Sequence, residues 1–196
     1  CGRRCPGGCA SGSCAVPSGI SVGADHSCLR YSGGRVFCWG SIGSGVLTTP
    51  AQGGMSHRPR PVQAIGNMGS PVEVSQLVSA GNSNCGIRTT GEVSCWGAIG
   101  GYGGVPRDVP GISSARHVAM TTNNYVCAAQ ADGLVKCWSG SGSATAIAGL
   151  TMATRVATGE NFGCAIKMDR SLWCWGYNAY GQLGDNTTTT RVGAAV

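Results

Sequence analysis

Charged side chains are scarce in this sequence, and they form no block of one sign. Only 11% of the 196 residues are charged, and the net charge of +6 comes from 12 arginines and 2 lysines against 8 acids. Arg3 and Arg4 are adjacent, and one residue separates Arg58 from Arg60. The other basic residues are scattered. Nucleic-acid binding requires a clustered basic patch with stacking aromatic side chains. We therefore expect no nucleic-acid partner.

Long apolar runs and helical periodicity are also missing. No stretch of about 18 apolar residues exists, so the sequence predicts no membrane span. The hydrophobic content of 42% is nevertheless ordinary for a folded chain, which argues against disorder. Because the apolar residues follow no helical repeat, we expect an all-β protein.

Cysteine, in contrast, is abundant, with twelve residues and no Cys-x-x-Cys pair. Zinc sites usually show pairs separated by two to four residues, whereas the main spacing here leaves nine residues between cysteines. Zinc-binding or free thiols in a reducing compartment remain the alternative. We favour disulfides formed in an oxidising compartment, and hence a secreted or cell-surface protein.

Four segments of the chain repeat one pattern, at residues 20–40, 77–97, 117–140 and 154–176. In each segment two cysteines stand ten positions apart, and a tryptophan follows the second cysteine. The pairs are Cys28 and Cys38, Cys85 and Cys95, Cys127 and Cys137, and Cys164 and Cys174; the tryptophans are Trp39, Trp96, Trp138 and Trp175. Repeated large aromatics of this kind usually pack between neighbouring units, which is the role we predict for these four.

A turn lies midway between the cysteines of each pair. A three-residue hairpin loop favours glycine at its third position, where the backbone is left-handed. Gly34, Gly91 and Gly133 stand there, and Arg170 is the exception. Folding about such a turn places the two cysteines opposite each other on neighbouring strands, close enough for a bond. The sequence therefore predicts four disulfides, each within its own hairpin.

Further β-rich stretches surround the hairpins. One precedes each hairpin directly, and residues 61–65, 106–112 and 144–150 supply another before three of them. Each unit thus reads as four short antiparallel strands. Repeats of about 40–55 residues with four strands indicate a β-propeller, here with four blades over residues 17–196.

The last residues, 190–196, have no hairpin after them. They stand where the first strand of a fifth unit would begin, and the first unit lacks that strand. We therefore predict that the segment containing Arg191, Val192 and Val196 completes the first blade. Within one chain it would close a ring; between chains it would be strand addition, which gives closed rings or filaments.

The fourth repeat, GCAIKMDRSLWCWGYNAYGQLGD at residues 163–185, resembles the repeat of the regulator of chromosome condensation family. The version with a cysteine on each hairpin strand resembles secreted bacterial members. The resemblance extends over residues 17–196 and weakens outside the fourth repeat. It implies a β-propeller, although members commonly have about seven blades, whereas this chain has four hairpins.

The N-terminal segment, residues 1–16, forms a separate module. It contains Cys1, Cys5, Cys9 and Cys14 and almost no apolar side chains, so only crosslinks can order it. Two internal disulfides and bonds to a neighbouring subunit are both open. Three internal connectivities are possible, and the sequence does not choose among them.

No catalytic or metal-binding constellation emerges. The three histidines, His26, His57 and His117, lack the partners that catalysis or metal binding needs, and we expect no cofactor and no enzymatic activity. Trp173, Tyr177 and Tyr180 break the repeat pattern, which makes them a candidate contact surface.

The predicted function is therefore architectural: a non-enzymatic extracellular subunit of a surface or fibre-like assembly that associates with itself. The alternative is a secreted propeller module that binds or inhibits another protein.

Overall fold

Four four-stranded antiparallel sheets, here called blades 1 to 4, make up most of the chain. The computed structural model describes residues 9–10, 13–48, 56–66, 69–101 and 103–195. Strand order within each blade follows the chain. The protein is thus an all-β propeller-type structure with four blades, as the repeat predicted.

The strands are numbered along the chain. Blade 1 contains β3 (Pro17–Val22), β4 (His26–Tyr31), β5 (Val36–Ser41) and β6 (His57–Gln63). Blade 2 contains β7 (Val74–Ala80), β8 (Ser83–Arg88), β9 (Val93–Gly97) and β10 (Gly103–Asp108). Blade 3 contains β11 (Ala115–Met120), β12 (Tyr125–Gln130), β13 (Val135–Ser139) and β14 (Thr145–Ala146). Blade 4 contains β15 (Ala153–Gly159), β16 (Phe162–Lys167), β17 (Leu172–Gly176) and β18 (Arg191–Ala195).

Short elements of the described residues also lie outside the blades. The strands β1 (Cys9–Ala10) and β2 (Ser13–Cys14) pair with Cys9 opposite Cys14. Short 3-10 turns at Gly43–Gly45 and Ile99–Gly101 follow the third strands of blades 1 and 2. No helix in the described ranges is long and apolar enough to cross a membrane.

The hairpin turns have the backbone that the sequence predicted. Gly34, Gly91 and Gly133 have φ values of 86°, 99° and 82°. Arg170 adopts the same left-handed conformation, with φ of 69°, although this region disfavours residues with a Cβ. The fourth hairpin therefore keeps the common turn geometry rather than using another one.

Each central hairpin carries its predicted disulfide. The bonded pairs are Cys28–Cys38, Cys85–Cys95, Cys127–Cys137 and Cys164–Cys174. The Cα atoms of the four pairs lie 4.0–4.1 Å apart, which is the close spacing of opposed residues that exchange no backbone hydrogen bonds.

The structure corrects the predicted unit boundaries. The stretches that were predicted to join hairpins two, three and four each pair with the preceding hairpin instead: β6 joins β5, β10 joins β9, and β14 joins β13. Blade 1 thus already has four strands, and β18 pairs with β17 of blade 4. The prediction that the C-terminal strand completes the first blade is therefore wrong. The repeat alone does not say which of two flanking hairpins an intervening strand joins.

The hydrophobic core lies between blades rather than within one of them. Three clusters of buried side chains fill the spaces between blades 1 and 2, blades 2 and 3, and blades 3 and 4. Each cluster contains a disulfide of one blade and the tryptophan of the next. Most of the described buried apolar side chains therefore lie where two blades meet.

Removing a hairpin disulfide should lower the free energy of unfolding, and the loss should be larger for a more deeply buried disulfide. All four close loops of equal length, so loss of the bond alone costs about 2–3 kcal/mol in each case. Both cysteines of the Cys127–Cys137 pair are buried under blade 4, whereas in the fourth pair Cys174 is buried but Cys164 is only half-buried. We expect Cys127→Ala with Cys137→Ala to lower the free energy of urea unfolding more than Cys164→Ala with Cys174→Ala. Equal losses would show that both pairs are equally covered.

Candidate interaction surfaces at the ends of the blade arc

Each blade has two different faces. The face toward the following blade, here called the trailing face, carries the disulfide; the face toward the preceding blade, the leading face, carries the tryptophan. Side chains alternate between faces along a strand, so adjacent residues such as Cys95 and Trp96 point to opposite sides. A joint forms where a trailing face meets a leading face.

The joint between blades 1 and 2 shows how the tryptophan is seated. Trp96 is fully buried, and its Nε1 donates a hydrogen bond of 2.9 Å to the carbonyl of Val46. Asn84 Nδ2 donates to the same carbonyl at 2.9 Å. Val46 and Leu47, in the loop after β5, are themselves buried. The loop that follows one hairpin thus holds the tryptophan of the next blade.

At the other joints, polar side chains connect the first strand of one blade to the first strand of the next. Gln76 of blade 2 donates to the Val118 carbonyl and accepts from the Val118 amide, both at 3.0 Å. At the equivalent place in blade 3, His117 Nδ1 accepts a bond of 3.4 Å from the Val156 amide. Each of these side chains reaches the backbone of the next blade.

The leading face of blade 1 has no blade in front of it. Ile20 and Val22 on β3 are 69% and 61% exposed, and Leu29 and Trp39 are half-buried. Their counterparts are covered in the other blades: Val118 and Val156 correspond to Ile20, and Trp96, Trp138 and Trp175 correspond to Trp39. An apolar surface of the kind that elsewhere forms the core is therefore open to solvent.

The trailing face of blade 4 is open in the same way. Ile166 and Leu172 are 45% and 50% exposed, whereas the residues equivalent to Leu172, which are Val36, Val93 and Val135, are fully buried. An apolar groove of about 240 Å³ runs along this face beside Arg155, Cys164, Ile166 and Leu172. The arc of four blades thus ends in two complementary apolar faces, which we call the end faces.

A buried polar cluster distinguishes the first joint from the other two. His26 Nε2 lies 2.8 Å from Asn84 Oδ1, and Ser79 Oγ donates to the same oxygen at 2.6 Å. His26 Nδ1 has no hydrogen-bond partner among the described residues. Burial lowers the pKa of His26, although Asn84 and Asp25 oppose the shift. The ring is thus neutral and donates from Nε2 to Asn84.

Acidification should weaken this joint. Because the pKa of folded His26 lies below its ordinary value of 6.5, the unfolded chain binds the proton more readily, and stability is lost as the pH falls below 6.5. His117, whose pKa is also lowered by burial, acts with the same sign. We expect His26→Gln to reduce the loss in urea-unfolding free energy between pH 7.5 and 5.5. The control is His57→Gln, on the exposed start of β6, and an unchanged slope in His26→Gln would contradict this assignment.

A tight polar loop leads from β17 into β18. Buried Asn178 donates from Nδ2 to the carbonyls of Thr187 and Thr189, and Asp185 pairs with Arg191 at 2.7 Å. Hydrogen bonds from Thr187 and Arg191 lower the pKa of Asp185 to about 2. The loop thereby fixes the start of the last strand of blade 4.

The other predicted site residues lie in several places. Trp173 is half-buried, with Lys167 Nζ 4.6 Å from its ring centre. Tyr177 and Tyr180 stack edge to face at 6.2 Å, and Tyr180 is 87% exposed. Arg191 and Val192 lie on β18 of blade 4 rather than in blade 1, and Val196 lies outside the described residues.

The N-terminal cysteines are described only in part. Cys14 is disulfide-bonded, and Cys9 lies opposite it in the small β1–β2 hairpin. Cys1 and Cys5 lie outside the described residues. In the part of the chain that the structure describes, no group of three or more His, Cys, Asp or Glu side chains could hold a metal ion.

Two segments of the chain match a known repeat family. The family model for the regulator of chromosome condensation (RCC1) repeat matches residues 18–45 and 153–182, which fall on the hairpins of blades 1 and 4. These two segments of the chain are thus similar to the RCC1 repeat. No curated protein matches it in sequence.

Solved structures support the RCC1-like propeller fold. Human WBSCR16 superposes with a TM-score of 0.74 at 20% identity, over 92% of this chain and 52% of that one. Prp20p from Saccharomyces cerevisiae gives 0.68 at 19% identity, over 90% and 49%. The computationally designed Ika4 protein gives 0.55 at 17% identity, over 85% and 94%. The chain thus spans about half the length of the two natural propellers.

The end faces were not identified from the sequence. Position by position, the strand residues of blades 1 and 4 resemble those of blades 2 and 3, so hydrophobicity does not mark them as exposed. The available signal was the limited number of repeats: in an arc of blades, the first leading face and the last trailing face have no neighbour from within the arc.

Proposed function

We propose that the chain is a non-enzymatic extracellular assembly module that joins other protein surfaces through its two end faces. The observation that carries this proposal is the exposure of Ile20 and Leu172. The residues equivalent to Leu172 are buried in the joints, as are Val118 and Val156, two of the residues equivalent to Ile20. Soluble proteins rarely leave a contiguous apolar surface of this kind uncovered. A subunit of a surface or fibre-like structure would cover both faces.

An extracellular setting is supported by the disulfides. Four bonded pairs stand on the central hairpins, and such bonds persist in oxidising compartments. The first three bonds are buried in the joints, and the fourth, Cys164–Cys174, lies on the trailing face of blade 4. The proposed localisation is therefore outside the reducing cytosol, in a secreted or surface-bound form.

A recognition module is the second candidate, and a separate surface favours it. Tyr177 and Tyr180 present stacked, exposed rings on the loop after β17, and tyrosine is enriched where proteins bind each other. Structural neighbours bind proteins: yeast RCC1 (Prp20) was solved bound to Kap60, and Prp20p is described with its binding to Gsp1p and histones. In this reading the loop, not the end faces, would contact the partner.

Light scattering with charge variants tests the assembly proposal. The wild-type chain should form particles heavier than its own 19.8 kDa, and Ile166→Asp should reduce that mass because a carboxylate cannot be buried in an apolar joint. The matched control is Val105→Asp, on an exposed apolar site of blade 2 away from both end faces. A wild-type chain that stays at 19.8 kDa would overturn the proposal.

The same measurement separates the two candidates. Tyr180→Ser removes the exposed ring of Tyr180 but leaves the apolar strand residues of both end faces unchanged. If end faces hold the assembly, Tyr180→Ser should keep the wild-type mass. A loss of mass in Tyr180→Ser with no loss in Ile166→Asp would favour the tyrosine surface instead.

A further inference from the structure

The two end faces have the same design as the joints inside the molecule. Strand registers make Ile20 equivalent to Leu77, Val118 and Val156, each of which sits on a leading face, and they make Leu172 equivalent to Val36, Val93 and Val135 on trailing faces. The face that would follow blade 4 therefore has the chemistry of blade 1. A second copy of this chain offers that face.

The loop after β17 in blade 4 repeats the loop after β5 in blade 1, which seats Trp96 of blade 2. Trp175 to Leu183 aligns with Trp39 to Leu47, including the glycines Gly45 and Gly181, which share a φ of 73°. Leu47 and Leu183 are both buried. Gln182 consequently occupies the place of Val46, whose carbonyl accepts from Trp96.

The donor and the acceptor for this seat are both unused. Trp39 Nε1 has no hydrogen-bond partner among the described residues, and the Gln182 carbonyl accepts none from them either. In the first joint the equivalent atoms, Trp96 Nε1 and the Val46 carbonyl, lie 2.9 Å apart. Trp39 Nε1 of a second copy could thus donate to the Gln182 carbonyl as Trp96 Nε1 donates to the Val46 carbonyl.

Two further features fit the same partner. The apolar groove of about 240 Å³ beside Cys164, Ile166 and Leu172 lies where an equivalent of Ile20 packs in the internal joints. Arg155 occupies the position of Gln76 and His117, whose side chains reach the first strand of the next blade. Its guanidinium could therefore donate to the Ile20 carbonyl. The apolar residues beside Ile20 on the leading face of blade 1, which are Val22, Leu29 and Trp39, carry no charge to oppose it.

We infer that a second copy of this chain occupies both end faces, with blade 4 of each copy joined to blade 1 of the other so that two arcs close one ring. This inference rests on the proposed function, because it names the partner of the same end faces. Two joints related by a two-fold axis leave no end face open.

Two half-blocked variants test the joint. Ile20→Asp disables the leading face of blade 1, and Leu172→Asp disables the trailing face of blade 4; both sites are exposed in the single chain, so both variants should fold. Each should run alone at 19.8 kDa, because neither can join a like copy. An equimolar mixture should give particles of two chains, since one intact joint remains.

The outcomes separate this inference from the function on which it rests. A wild-type chain that stays at 19.8 kDa would overturn both this inference and the proposed function. A heavy wild-type particle whose mass persists in Ile20→Asp and Leu172→Asp alone keeps an assembly role but overturns this joint. A heavy wild-type particle with a mixture that stays at 19.8 kDa likewise overturns the joint. A wild-type particle of more than two chains overturns the closed ring.

A conservative variant tests the seat itself. Trp39→Phe retains an aromatic ring but removes the donor. The two-chain particle then loses two hydrogen bonds of about 1 kcal/mol each, one in each joint, so its dissociation constant should rise about thirtyfold. Trp173→Phe is the control, because it removes a tryptophan that lies outside the end faces and should leave the constant unchanged. Equal constants in Trp39→Phe and the wild type would overturn the proposed hydrogen bond.

Discussion

The packing of a disulfide-bearing face against a tryptophan-bearing face is the interaction on which the rest of this structure depends. A single four-stranded blade has two apolar faces and cannot bury either of them alone. The bond between the two central strands holds one face rigid, and the large indole of the next blade covers it. Stability is therefore a property of neighbouring pairs, as in other repeat proteins.

This dependence explains why the loops vary in length while the hairpins do not. The loop after β5 contributes Val46 and Leu47 to the first joint, and the loop after β17 is fixed by Asn178 and by the pairing of Asp185 with Arg191. What such a loop must supply is a buried apolar side chain and, in the first joint, a carbonyl in the right place. Its remaining residues are free to differ.

Local spacing predicted much of the fold. Cysteines ten residues apart about a turn determine both the hairpin and its disulfide, because the relation lies within eleven residues. The placement of residues 57–63 and 191–195 was not predictable in this way. Each such strand lies between two hairpins or after the last one, and pairing with either edge satisfies the same alternation of side chains. The exposure of Ile20 and Leu172 depends on how many blades there are, which no local pattern encodes.

The polar cluster of His26, Ser79 and Asn84 has a consequence for how such a chain reaches one arrangement. Four blades with similar apolar faces could dock out of order during folding, since indole and disulfide recur in each. Asn84 Oδ1 accepts from His26 only when blade 1 packs against blade 2. With any other neighbouring blade, these polar groups would be buried without partners. This hydrogen-bonded contact thus disfavours arrangements in which the blades pack in a different order.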